Sequence, residues 1–211
     1  MTQESVTSLQ SSLVKHEFIE TLRALDGQVA HLLYHQQRYE KTLKSLGVRS
    51  TLVALEQFVN PPKEGLYRVR LCYTPEGVND VSYHPYTRRT ITRLQMIEAA
   101  NLIYDKKYAD RSALDALFAQ RGACDEVLIT KGGYLQDTTI ANIALFDGQQ
   151  WFTPADPLLE GTTRARLLDQ GFLKKRAIHK EDLGGYVAFA LMNAMIDFAI
   201  IADKNIEDIM C

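Results

Sequence analysis

Cysteine is scarce in this chain. Cys72, Cys124 and Cys211 are an odd number with no paired spacing. They offer neither a secreted-type disulfide framework nor a zinc ligand set, and they read as free thiols in a reducing cytoplasm. Histidine is sparse as well. His31 and His35 stand four apart without a third ligand, so no metal site is expected. Neither sign of charge dominates: the formal net charge is −2, which supplies no basic field for nucleic acid and no acidic tail. Long apolar runs are missing, because "VAFALMNAMI" and "FAIIA" are interrupted by Asn193 and Asp197, and no membrane span is expected. The opening "MTQESVTSLQSS" lacks the basic-then-apolar order of a secretion signal. GxGxxG and Walker A glycine loops are absent too.

What is present is apolar mass and alternation. With 211 residues, 46% of them hydrophobic, the chain can bury one large core or two modest ones. "EFIETLRALDGQVAHLLYH" reads as two strands around the Asp26-Gly27 reversal. "QQRYEKTLKSLG" reads as a helix stopped by Gly47, and "TLVALEQFV" as a second short one. "GLYRVRLCYTPEG" alternates like a strand and turns at Pro75-Glu76-Gly77 into "VNDVSYHPY". The polar run "YTRRT" at 86–90 divides the chain into an N-terminal α/β domain, 1–88, and a C-terminal domain, 89–211. Beyond it come a strand, the irregular "YDKKYADR", a helix over "SALDALFAQRG" and the strands "DEVLIT" and "GYLQDTTIANIALF". A hairpin, the helix "TTRARLLDQG", a short helix at "KEDL" and a closing strand "GYVAFALMN" follow. The mixture lacks regular βαβ alternation, so the class is α+β.

Three polar places exceed what a plain core needs. Gly161 precedes a helix beginning Thr162-Thr163, which is either a simple N-cap or an anion site at open backbone N–H groups. Lys106 and Lys107 lie in the irregular stretch, where lysines are ordinarily solvated. Asp137 opens "DTTIAN", an acid, two threonines and an asparagine set between apolar runs; it caps a turn or pairs with a cation in a pocket.

In order and spacing these pieces resemble the class IV aminotransferase family, the fold type IV enzymes that use pyridoxal phosphate. The resemblance rests on "ETLR" with its D-G turn, "HQQR", Lys107 four residues before Arg111, "DEVLITKGGYLQDTTIAN" and "GTTR", and covers about residues 18–200. It implies two small domains, an N-terminal α/β sandwich and a barrel-like C-terminal domain, paired in a homodimer. It further implies that Lys107 is the Schiff-base lysine, with Lys106 its one-residue rival, and that Asp137 faces the pyridine nitrogen. Arg38 matches the phosphate-binding arginine, Thr162 and Thr163 the phosphate turn, Asn193 an asparagine on the phosphate side, and Asn142 a structural asparagine. Two features depart from the family: aspartate stands at 137 where glutamate is usual, and the chain is short. Its branches leave three chemistries open on a small amino substrate. One is aminodeoxychorismate lyase, favoured by "YRVRLCYTPEG" and "FALMNAMI"; the second is a branched-chain or D-amino acid aminotransferase. The third is a binding protein that has lost turnover.

Overall fold

The computed structural model describes residues 17–49 and 52–201. Its first sheet has the order β2-β1-β3-β4, with β1 at Phe18–Leu25, β2 at Gln28–Val29, β3 at Leu66–Thr74 and β4 at Gly77–Pro85. Alternation along β1 sends Phe18, Leu22 and Ala24 into a core with Val69, Leu71 and Tyr73 of β3, against Tyr39 and Leu43 of helix α1, Leu32–Ser45. The opposite face carries Thr21 beside Arg70 and Arg23 beside Arg68.

The expected strand over "QVAHLLYH" is largely helix instead. Pairing ends at Val29, His31 takes a left-handed φ of 53°, and α1 begins at Leu32. The reason is helical periodicity: His35, Tyr39, Thr42 and Leu43 form its buried stripe. The second expected helix reduces to a single 3-10 turn, Leu55–Phe58; position 51, where that reading begins, lies outside the described residues.

The second sheet contains β5, Leu94–Glu98; β6, Glu126–Lys131; β7, Tyr134–Thr138; β8, Asn142–Phe146; β9, Trp151–Pro154; β10, Leu173–Arg176; β11, Ala188–Asn193; and β12, Asp197–Ile201. β8 pairs with β7, β9 and β11, so the sheet branches and curls around Leu128, Ile143, Phe189 and Leu191. Helix α2, Ser112–Phe118, packs on β6, and helix α3, Thr162–Asp169, packs on α1, β10 and β11. β12 is an addition to the expected elements. Asn193 makes the hairpin by accepting from the backbone N–H groups of Met195 and Ile196, at 2.9 and 3.0 Å. Cys72 is a buried free thiol, but Cys124 is disulfide-bonded, which corrects the expectation of three free thiols. Among the described residues no helix is long and apolar enough to cross a membrane. The architecture is α+β, as expected.

Candidate active site

Between the two sheets lies a cavity of about 470 Å³ whose walls include Lys107, Arg38, Asp137, Thr162, Arg70 and Asn193. Lys107 arrives there because its segment is stitched to the start of β1. Ile19 N–H donates to the Lys107 carbonyl at 2.9 Å, Ala109 N–H donates to that of Glu17 at 2.8 Å, and Phe18 bridges to Tyr108. Burial, reinforced by the Arg38 and Arg111 cations, brings the Lys107 amine down to about 7, against the opposing pull of Glu20. At neutral pH a large fraction of it is therefore an uncharged nucleophile. Lys106 does not line this cavity; its Nζ is on Asp105 Oδ2 at 2.6 Å.

Asp137 comes from the other side. "DTTIAN" is a tight turn that pairs Asp137 of β7 with Asn142 of β8. Thr138 Oγ1 accepts from Ala141 N–H at 2.9 Å, and Thr139 Oγ1 donates to the fully buried Glu126 at 2.6 Å. The threonine hydroxyls thus build the turn. Asp137 itself is 3% exposed. Asn142 Nδ2 donates to its Oδ1 at 2.7 Å and Leu159 N–H to its Oδ2 at 2.8 Å. Burial raises its carboxyl to about 6, although these donors and the Arg164 charge oppose the shift. Asn142 is structural here, in agreement with expectation.

The third wall is cationic. Arg38 turns Nε and Nη2 onto the two oxygens of Glu20, at 2.9 and 2.6 Å, and also borders a second cavity of about 580 Å³ between α1 and α3. Lys107 and Thr162 border both cavities. Gly161, not Thr162, is the N-cap of α3, and no side chain caps that end, so first-turn N–H groups and the positive end of the helix dipole stay open to an anion. Thr163 is equally buried but borders neither cavity. The polar atoms of Asn193 are committed, its oxygen to the hairpin and its Nδ2 to the Ile140 carbonyl at 3.1 Å. Residues outside the expected set are Arg111, which donates to the Thr139 carbonyl at 3.0 Å, and Glu20 with Arg68 and Arg70. Arg111 was legible as the end of the K-x-x-x-R spacing; the two arginines of β3 stood within the lyase-like "YRVRLCYTPEG" without being singled out as site residues.

An amine poised near neutrality, a buried acid and an arginine beside an open helix end form a set that suits pyridoxal phosphate. The model of the family described as amino-transferase class IV matches residues 17–203, and the chain belongs to that family. An uncharacterized Haemophilus influenzae protein is 36% identical over 185 residues, 85% of this chain and 98% of that protein. A Haemophilus somnus structure, described as a candidate 4-amino-4-deoxychorismate lyase, is 33% identical with a TM-score of 0.79, covering 87% of this chain and 98% of that one. The 4-amino-4-deoxychorismate lyase of Pseudomonas aeruginosa shares the fold, with a TM-score of 0.69 at 15% identity over 93% of this chain and 92% of that one. The chain is an enzyme whose cofactor is pyridoxal 5'-phosphate. The donor set fits that group: an amine for its aldehyde, a carboxylate for its ring nitrogen, and a cation with open N–H groups for its phosphate.

Proposed function

We infer that the chain is a lyase converting 4-amino-4-deoxychorismate to 4-aminobenzoate and pyruvate, for cytoplasmic folate synthesis, and that it works as a homodimer. One observation carries the choice of substrate. Arg68 and Arg70 line the cavity that Lys107 also lines, yet neither guanidinium makes a hydrogen bond or ion pair among the described residues. Each product carries a carboxylate, so the substrate carries two, and two unpaired guanidinium forks suit them. The Haemophilus somnus relative supports the same reading. Ile140, 41% exposed beside the cavity, is a side chain that a second copy would cover.

When bound, pyridoxal phosphate supplies an electron-accepting ring. In this reading the chain's own residues do the rest. Lys107 Nζ gives up and takes back a proton near neutral pH. Asp137, held by Asn142 and Leu159, presents negative charge to a ring N–H. Arg38 and the α3 N-terminus bind phosphate, while Leu158, Leu159, Met192 and Met195 exclude water. Elimination breaks the C–O bond to the pyruvate-forming group and removes one ring proton. The two products contain every atom of the substrate, so no second substrate is consumed.

The test is to supply the cofactor-loaded protein with 4-amino-4-deoxychorismate alone, and separately with an amino acid panel plus 2-oxoglutarate. Pyruvate and 4-aminobenzoate without a keto acid are expected. Turnover only in the second mixture would make the chain an aminotransferase.

A further inference from the structure

Among the described residues Glu20 is the one fully buried acid on the α1-facing side of the first sheet, set among Phe18, Leu22, Leu71 and Tyr73. Burying a carboxylate there is costly, and an ion pair in such a place is weak evidence of stabilisation, since apolar packing often does as well. Its geometry points to another use. Both oxygens are taken by one edge of the Arg38 guanidinium, and Oε2 also meets His35 Nδ1 at 2.6 Å. His35 precedes Arg38 by three residues on α1, so one helix face delivers both partners to β1. An arginine has five N–H donors; with one each from Nε and Nη2 engaged, the others make no hydrogen bond among the described residues.

We propose that Glu20, steadied by His35, is a positioning residue: it fixes the plane of Arg38 so that the free guanidinium edge meets the phosphate of the cofactor. This rests on the reading of Arg38 as the phosphate anchor. The charge states agree with it. Burial would raise the Glu20 carboxyl, but the Arg38 charge and the bonds from His35 and Arg38 hold it at about 2. Burial lowers His35, which is then neutral and donates through Nδ1. The cluster therefore keeps a single fixed orientation without a second cation competing for Glu20.

The test uses the apo protein with two probes that cannot attach covalently to lysine, pyridoxamine 5'-phosphate and pyridoxamine. Glu20→Gln keeps the shape and removes the charge. It should weaken pyridoxamine 5'-phosphate binding by about tenfold or more while leaving pyridoxamine binding unchanged, the size expected for loss of one well-aligned charged contact. Equal losses for both probes, or no loss for either, overturns the proposal. If Glu20→Gln does not fold by circular dichroism, His35→Asn is read the same way, with a smaller loss confined to the phosphorylated probe. A wild-type protein that binds neither probe would instead refute the pyridoxal phosphate site, and this inference with it.

Discussion

Asn142 and Asp137 face each other across the β7–β8 turn, the amide of Asn142 donating to Oδ1 of Asp137 at 2.7 Å. The same nitrogen donates to the Leu159 carbonyl at 2.8 Å, so one side chain ties the acid to the loop that leads into α3. Its oxygen lies against Gly161, where an added Cβ would come within 2.0 Å. Asn142→Ala removes two buried hydrogen bonds, and Gly161→Ala forces the loop away. Each should cost about 1–3 kcal/mol. Urea unfolding of the apo protein checks this as a lower midpoint at constant slope. Stability equal to wild type in Gly161→Ala would show that the loop yields freely.

Asp137 makes stability pH-dependent in a definite direction. Its folded carboxyl is raised from 3.8 to about 6, so the folded state binds more protons than the unfolded state between those values. The contribution is full below the lower value and is lost as pH rises through the upper one. Apo Asp137→Asn lacks this term, so wild type should lose about 3 kcal/mol relative to it between pH 3.5 and 6.5. Chemical unfolding across that range reads the slope. In the loaded enzyme the same variant should still bind cofactor while turnover falls by orders of magnitude. A flat difference with pH would mean that folding leaves the Asp137 carboxyl at its unfolded value.

Lys107 should titrate near 7, because burial and the Arg38 and Arg111 cations disfavour its charged form. Labelling of the apo protein with an amine-specific reagent, followed by peptide mapping, should show a midpoint near that pH at Lys107. Removing the negative charge in Glu20→Gln should move the midpoint lower. A midpoint near 10 would mean that the amine sees water.

Arg68 and Arg70 share a strand face, and neither guanidinium has a hydrogen bond or ion pair among the described residues. Arg70→Met should raise KM for 4-amino-4-deoxychorismate by about 10–100-fold, the loss of one charge-assisted carboxylate contact. Cofactor affinity should stay within a factor of about two, because the phosphate contacts differ. An unchanged KM in both Arg68→Met and Arg70→Met would remove these two from substrate binding.

Much of this site was legible because its parts are local. The Gly161-Thr162 helix start, the Lys107-to-Arg111 spacing and the acid of "DTTIAN" each lie within a few residues. What escaped depends on distance in sequence. Glu20 and Arg38 are eighteen residues apart, and only the packing of α1 on β1 joins them. His35 fills a core position as a polar residue, which disguised the helical period and let the segment pass for a strand. The last strand, β12, was hidden because Asn193 and Asp197 interrupt the apolar run as ordinary turn residues do. Thr138 and Thr139 do line the cavity, but their hydroxyls answer to Ala141 and to Glu126, a buried acid thirteen residues from Thr139.

The most direct measurement is the site of covalent attachment. The protein is loaded with pyridoxal 5'-phosphate, reduced with borohydride, digested and mapped by mass spectrometry. The added mass should sit on Lys107 and disappear, together with the bound-cofactor absorbance, in Lys107→Ala, while Lys106→Ala keeps both. Attachment at Lys106, or none at all in the wild-type protein, would contradict the role given to Lys107.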